Sequence, residues 1–154
     1  MRIIIDGDSQ PCKEEIVALA EKYKIEVIIV ISVSHFFDNE KIKNAKIVIV
    51  DNIKEETDLK ILNTVKKDDI VVTCDSGLAY ILTGKGIKAI SERGYIWNNE
   101  SMERTLFFIH TKMKLLRGKK GKKKRSKGIK PYTADDKKRL LKNLEILIKD
   151  ACKL

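Results

Sequence analysis

The sequence predicts an α/β protein built on one doubly wound, mostly parallel sheet of about five strands in the order 3-2-1-4-5, followed by C-terminal helices. Short, β-branched apolar runs alternate with segments of helical periodicity, and that alternation is typical of strands joined by right-handed helical crossovers. The runs are apolar throughout, as expected of strands buried on both faces. The predicted strands contain residues Ile3–Ile5, Ile25–Ile31, Lys46–Val50, Asp69–Thr73 and Ile87–Ile90.

Helices are predicted between these strands and after the last of them. Apolar residues recur there every three or four positions, with charged residues on the opposite face. The predicted helices are Pro11–Tyr23, Lys54–Lys66, a short segment that ends near Leu82, Asn98–Arg117 and a last helix that begins after Thr133. A polar loop is predicted over Ser34–Asn44, in which His35 could stack on a nucleic-acid base or pack against the sheet.

The length and composition predict a single soluble domain spanning residues 1–154. Of the 154 residues, 43% are hydrophobic, which is enough to bury a core. No apolar run reaches the length of about 18 residues that crosses a bilayer, so we expect no membrane association. The three cysteines are widely spaced and form no C-x-x-C pair, which favours free thiols in a reducing cytoplasm.

Acidic residues follow two of the predicted strands. Asp6 and Asp8 end the first strand, and Asp75 follows the fourth. Because parallel strands present their carboxyl ends at one edge, and strands one and four are neighbours in the predicted order, these three carboxylates are expected within reach of one ion. Asp58, early in the helix after strand three, would complete the site. Oxygen ligands without nearby His favour Mg²⁺ or Mn²⁺ over zinc.

A simpler interpretation of each acid stays open. The D-x-D pattern can simply stabilise the turn that contains it, and Asp75 can simply cap a helix. Asp58 lies in a first helical turn, where acids are common. No phosphate-binding loop of the form G-x-x-x-x-G-K-[ST] occurs, which disfavours nucleotide hydrolysis of that type. A phosphatase of the D-x-D-x-T type is also disfavoured, because Gln10 occupies the Thr position.

Most of the net charge of +10 lies in one segment, Gly118–Lys130, which holds eight basic residues and no acid. We expect this segment to be flexible without a partner and to make sequence-independent contacts with nucleic-acid phosphates. RNA is the expected partner, and a solvated insertion without a ligand is the alternative. The predicted contact residues are Lys119, Lys120, Lys122, Lys123, Lys124, Arg125 and Lys127.

Several motifs together resemble the YaiI/YqxD family of bacterial proteins, which lack an established function. The resemblance covers nearly the whole chain, and the fold of that family is similar to PIN-domain nucleases. It therefore implies Mg²⁺ or Mn²⁺ bound by carboxylates, and RNA cleavage. The chain departs from the family pattern D-x-D-x-C-P-x-K, because its cysteine follows the proline. The matching motifs are Asp6-x-Asp8, Thr57-Asp58, Asp69–Ala79, Arg93-Gly94 and Gly128–Asp136.

The leading hypothesis is a metal-dependent phosphodiesterase that cleaves RNA. Asp6, Asp8 and Asp75 would be the metal ligands, and Asp58 would orient water or complete the site. The alternative is a non-catalytic RNA- or ribosome-associated binding module, in which the acids are structural or hold a metal without turnover. Metal-dependent turnover would distinguish the two hypotheses.

Overall fold

A computed structural model describes residues 1–36, 42–53, 55–104, 106–107, 111 and 130–153. It contains one sheet of six strands in the order β3-β2-β1-β4-β5-β6. The first five strands are parallel and β6 runs antiparallel to β5. The strands are β1 (Arg2–Asp6), β2 (Glu26–Ser32), β3 (Lys46–Val50), β4 (Ile70–Val72), β5 (Lys88–Ile90) and β6 (Ile96–Trp97).

Helices cover both faces of this sheet. The helices are α1 (Lys13–Lys22), α2 (Val33–Phe36), α3 (Glu56–Thr64), α4 (Ser76–Gly84) and α5 (Ala134–Cys152). Side chains of α1 and α5 pack with Ile3 and Ile5 on one face, whereas side chains of α3 and α4 pack with Ile4 on the other. All three isoleucines are fully buried, so the consecutive apolar residues of β1 serve two cores at once.

The predicted fold class and the order of the first five strands are confirmed. Two local predictions were wrong: the predicted loop after β2 begins with the short helix α2, and the two-residue β6 was not predicted. The helix predicted over Asn98–Arg117 is confirmed at residues 99–104 and 106–107. Its remainder lies largely outside the described residues, as does Gly118–Lys130 except for Lys130.

Glycine at position 7 brings the loop after β1 close to β2. The Gly7 amide donates a 2.8 Å hydrogen bond to the Val30 carbonyl. A Cβ atom at this position would lie 2.9 Å from both that oxygen and Ile29 Cγ2, closer than van der Waals contact allows. Because glycine has no side chain, the loop can lie this close to β2, and Asp6 and Asp8 therefore lie near the carboxyl end of that strand.

The last helix is fixed to the sheet by residues that follow β5. Thr133 and Asp136 form a reciprocal capping box at the start of α5, and the Arg93 guanidinium donates to Asp136 at 2.7 Å. Gly94 has a φ of +85° and contacts the α5 backbone at Leu140. These contacts set the position of α5 across one core. No helix among the described residues is long and apolar enough to cross a membrane.

Candidate functional site

A pocket of about 380 Å³ lies where β1, β2 and β4 end. Every acid that the sequence analysis assigned to the site lines it. The structure therefore brings together residues that are up to 69 positions apart in the chain, as expected for the carboxyl edge of a parallel sheet. The lining residues are Asp6, Asp8, Ser9, Ser32, Ser34, Asp51, Asn52, Ile53, Glu55, Thr57, Asp58, Cys74 and Asp75.

Asp6 is the most deeply placed of the four acids. It is buried at the end of β1, and the register that pairs Ile5 with Val72 sets it beside Thr73. The Thr73 hydroxyl donates to Asp6 Oδ2 at 3.0 Å. Burial raises the pKa of Asp6, the Thr73 hydrogen bond opposes that rise, and the charges of Asp8 and Asp75 add to it.

Asp8 joins the turn after β1 to two other elements. Its Oδ1 accepts hydrogen bonds from the Ser32 amide at 2.8 Å and the Ser32 hydroxyl at 3.1 Å. Its Oδ2 accepts from the Thr57 hydroxyl at 3.3 Å. His35 Nδ1 lies 3.4 Å from Asp8 Oδ1 and 2.9 Å from Ser32 Oγ. Asp8 thus connects three structural elements and is also a candidate metal ligand. The contacts of His35 with Asp8 and Ser32 give the histidine a local structural role.

Asp75 caps α4. Its Oδ1 accepts a 2.8 Å hydrogen bond from the Leu78 amide, which is the arrangement of a standard helix N-cap. The capping role that the sequence left open is therefore confirmed. The cap uses one oxygen of the carboxylate, so capping does not prevent the other oxygen from serving the pocket.

Asp58 lies in the first turn of α3, across the pocket from the strand ends. Its pKa is raised to about 6, first by burial and then by the negative charges of Asp75, Asp6, Glu55 and Asp8. A carboxylate at a helix N-terminus is normally stabilised by the helix dipole, so the opposite shift means that burial and the surrounding negative charges together outweigh the dipole. The pocket is under electrostatic repulsion that a cation would relieve.

The donors in this pocket fit a hard cation by their chemistry. Six carboxylates and several hydroxyl groups supply mainly oxygen, and the other donors are the Asn52 amide and the Cys74 thiol. As they stand, no three His, Cys, Asp or Glu side chains within the described ranges form a ready-made metal-binding group. An ion bound here would therefore require at least some of the carboxylates to turn toward it.

Three hydroxyl residues that hold the site acids were missed by sequence reasoning. Ser32 and Thr73 hold the carboxylates of Asp8 and Asp6, and Thr57 ties α3 to the turn after β1. A signal for the first two existed, because each is a hydroxyl residue at the end of an apolar strand that is adjacent to β1. Thr57 was noted only as a neighbour of Asp58, since nothing in the local pattern indicates its long-range partner.

The cysteines divide by environment. Cys74 is exposed and lines the pocket, and partial burial raises the pKa of its thiol. Cys12 is buried on the other side of the sheet, with its Sγ 3.2 Å from the Tyr132 hydroxyl. Cys12 therefore belongs to the core contact between the first helix and the segment that leads into α5.

Only the C-terminal end of the basic segment lies in the described part of the chain. Arg93 holds it there, because its guanidinium donates to the carbonyl oxygens of Lys130 and Pro131, the latter at 3.3 Å. Tyr132 then donates to the Glu92 carbonyl at 3.0 Å. The predicted contact residues from Lys119 to Lys127 lie outside the described residues, so their role stays a prediction.

Comparison with known proteins gives a consistent result. Residues 4–150 match the model of a family described as "Uncharacterized BCR, YaiI/YqxD family". The chain is similar to a UPF0178 protein of Bacillus anthracis, with 36% identity over 139 residues that cover 90% of this chain and 92% of the relative. A UPF0178 protein of Clostridium perfringens is 36% identical over 151 residues, covering 96% and 95% of the two chains. No solved structure matches the chain.

Proposed function

This chain belongs to the YaiI/YqxD family, whose description states no activity, and from its pocket we propose that it is a metal-dependent phosphodiesterase that cleaves RNA. One observation carries the proposal. Asp6, Asp8, Asp58 and Asp75 line a single pocket, where burial and the charges of the other three raise the pKa of Asp58. Structural capping or turn formation alone gives no reason for four carboxylates to share one pocket at an energetic cost.

Mg²⁺ or Mn²⁺ is the proposed cofactor. The oxygen-rich donor set suits either ion, and Asp6, Asp8 and Asp75 would hold it. When bound, such an ion would neutralise charge on a phosphodiester and lower the pKa of a water molecule. The capping oxygen of Asp75 would stay on the Leu78 amide, and Ser32 and Thr57 would continue to orient Asp8.

Asp58 is proposed to accept a proton from the attacking water. Burial is the first cause of its raised pKa of about 6 and would persist with an ion bound, so its carboxylate would be ionised at pH 7 and still be a stronger base than an ordinary aspartate. General-base catalysis is most effective when the pKa lies near the working pH. The position of Asp58 on α3, opposite the strand-end acids, suits a group that acts on the water and not on the ion.

The basic segment Gly118–Lys130 is proposed to hold the RNA by its phosphates. Eight cations without an intervening acid would give binding with a strong salt dependence. The Arg93 contacts at Lys130 and Pro131 support the proposal, because they fix one end of the segment to the loop that follows β5. The proposal includes a cytoplasmic location, which the three free cysteines support.

Calorimetric titration with Mn²⁺ and an RNA cleavage assay on the same samples would test this function. The variant is Asp6→Asn with Asp75→Asn, which removes two charges while Asn keeps the helix cap. We expect the wild type to bind Mn²⁺ and to cleave a single-stranded RNA, and the variant to lose both. A charge-matched control changes the exposed Asp68 and Asp150 to Asn. Full metal-dependent cleavage by the folded Asp6, Asp75 variant would eliminate this site.

The second candidate is a non-catalytic RNA- or ribosome-associated binding module. The hydrogen bonds that already occupy Asp8 and Asp75 favour it, as does the lack of a ready-made metal group among the described residues. In that case the wild type would bind RNA with the same salt dependence but would show no turnover at any Mn²⁺ or Mg²⁺ concentration. Binding without cleavage would therefore select the module.

A further inference from the structure

An apolar groove adjoins the acidic pocket. It has a volume of about 510 Å³ and lies between α3 and α4. Three residues, Glu55, Asp58 and Asp75, line both the groove and the pocket, so the two form one continuous depression with an acidic end and an apolar end. The remaining groove residues are Leu59, Leu62, Gly77, Leu78 and Ile81.

The apolar end is exposed to solvent. Leu59 is 58% exposed and Ile81 is 45% exposed. Contiguous exposed apolar surface beside a polar site is a common mark of ligand binding. A ligand that packs on these aliphatic side chains would therefore be apolar, or flat and uncharged.

We propose that this groove receives one nucleobase of the RNA strand whose phosphate lies in the acidic pocket, and that the protein consequently acts on unpaired strands. The inference rests on the proposed function. A base is uncharged at neutral pH, so the acids at the junction do not repel it, and its ring faces can pack on leucine and isoleucine. In a nucleotide the phosphate is covalently joined to its nucleoside. One nucleotide could therefore place its phosphate at the acidic end of the depression and its base at the apolar end.

This occupant also determines which RNA is a substrate. A base within a duplex is stacked and paired, and it reaches a protein groove only when it is unstacked or flipped. Gly77 lines the groove, and a Cβ atom at this position would lie 3.1 Å from Asp75 Oδ1. A side chain at this position would therefore crowd the carboxylate that the groove and the pocket share.

The first test compares two small probes that differ only in the base. Adenosine 5′-monophosphate and ribose 5-phosphate would be titrated into the full chain with Mg²⁺ present, and methyl resonances followed by NMR. We expect adenosine 5′-monophosphate to shift the methyl signals of Leu59, Leu62 and Ile81, and ribose 5-phosphate to leave them in place. Equal shifts with both probes, or none at the groove with either, would overturn the inference.

The second test uses cleavage of single-stranded oligoadenylate. Leu59→Ser with Ile81→Ser removes the apolar surface at two exposed positions, so folding should be retained. We expect about a tenfold rise in KM with little change in kcat, as for loss of apolar contact in a specificity pocket. Ile146→Ser, at a 44% exposed position on α5, is the matched control and should keep the wild-type KM.

The two proposals fail separately. If the double variant cleaves with wild-type KM, and duplex RNA is cleaved as well as single strands, the groove assignment is wrong and the hydrolase stands. If adenosine 5′-monophosphate shifts the groove methyl signals but no RNA is cleaved, the groove assignment stands and the hydrolase is wrong.

Discussion

The Thr57 hydroxyl donates a hydrogen bond of 3.3 Å to Asp8 Oδ2, and this contact ties the first turn of α3 to the turn after β1. Thr57 precedes Asp58, so the same contact sets where Asp58 lies relative to the acids at the strand ends. Only one residue of α3, Ile61, is buried. The helix that carries Asp58 is therefore positioned by a polar contact at its N-terminus as well as by its core packing.

Replacing Thr57 by Val should weaken the site more than the fold. Valine keeps the shape and the helix propensity but cannot donate to Asp8, so we expect the free energy of unfolding to fall by about 1 kcal/mol. The affinity for Mn²⁺, measured by calorimetry, should fall several-fold because Asp8 and Asp58 lose their common anchor.

A matched control lies on the same helix. The Thr64 hydroxyl donates to the Lys60 carbonyl, a local bond of 2.7 Å, so Thr64→Val removes a hydroxyl without touching the pocket. We expect it to leave the Mn²⁺ affinity unchanged. If the Thr57 and Thr64 variants cannot be told apart in either measurement, the tie between α3 and Asp8 contributes nothing.

The ion pair between Arg2 and Asp69 should make the free energy of unfolding depend on pH in the acidic range. Burial alone would raise the pKa of Asp69, but hydrogen bonds from the Arg2 side chain and the Lys66 amide outweigh it and lower that pKa. The Arg2 Nη2 to Asp69 Oδ2 distance is 2.6 Å, and Asp69 is 2% exposed. A lowered folded-state pKa means that this stabilisation is complete above the unfolded-state value and is lost as the pH falls through the folded-state value.

We therefore expect Asp69→Asn to lower the free energy of unfolding at pH 7 by about 3 kcal/mol, since it leaves a partly buried Arg2 charge without its partner. The difference from wild type should shrink below about pH 4, the usual unfolded-state pKa, where wild-type Asp69 also becomes neutral. Urea unfolding from pH 7 to pH 2 would measure both effects. Asp68→Asn, at the adjacent exposed position, should follow the wild-type curve, and a constant difference at all pH values would contradict the assignment.

Replacing two glycines that both have a positive φ by alanine should lower the free energy of unfolding by different amounts. Gly94 has a φ of +85° and a Cβ there would lie 2.4 Å from Leu140 N, whereas Gly86 has a φ of +74° and open space around it. Gly94→Ala combines left-handed strain with a backbone clash, so we expect a loss of about 3 kcal/mol or more. Gly86→Ala carries the strain alone, at about 1 kcal/mol.

Thermal and urea unfolding of both variants would measure the difference. The fluorescence of Trp97, which donates to the Thr73 carbonyl, would report any change in the sheet edge. Equal losses at the two positions would mean that α5 can move away from Gly94, and that its close approach to the loop after β5 is not a rigid contact.

The fold was predictable from the sequence where a residue's own neighbours determine its environment. The triple isoleucine of β1 and the Thr133 cap with its two acids indicate their structures locally. The strand β6 was missed because only Ile96 and Trp97 form it, and pairing with β5 gives no periodicity in so short a run. Asp6, Asp8 and Asp75 were predictable because strand ends in a parallel sheet share one edge, and Asp58 was predictable because it begins the helix that leaves the third strand at that edge.

The partners of those acids were not predictable in the same way. Asp8 receives its hydrogen bonds from Ser32 and Thr57, which are 24 and 49 positions away. Such pairings depend on strand register and on the angle of α3, neither of which a single sequence determines. The pKa of Asp58 follows from the same unpredictable distances, since most of its electrostatic neighbours lie on other elements.

The raised pKa of Asp58 implies that its charge destabilises the folded protein. Because the folded-state pKa of about 6 exceeds the unfolded-state value of about 3.9, the native state binds the proton more tightly. Stability should therefore fall as the pH rises between these two values, and the cost persists at pH 7. Asp58→Asn should increase the free energy of unfolding at pH 7 by about 1 kcal/mol, the shift being discounted for solvent screening.

Glu56→Gln, in the same helix turn, should change the free energy of unfolding in the opposite direction. Glu56 is an acid in the first turn of α3, and removing its charge should cost about 0.5 kcal/mol through the helix dipole. Urea unfolding at pH 5 and pH 8 would compare both variants with wild type, and the gain from Asp58→Asn should be larger at pH 8. Mg²⁺ should stabilise the wild type and reduce that gain, because a bound cation offsets the repulsion. A loss of stability in Asp58→Asn at both pH values would mean that Asp58 is held by favourable contacts, and it would remove the electrostatic basis for a cation in this pocket.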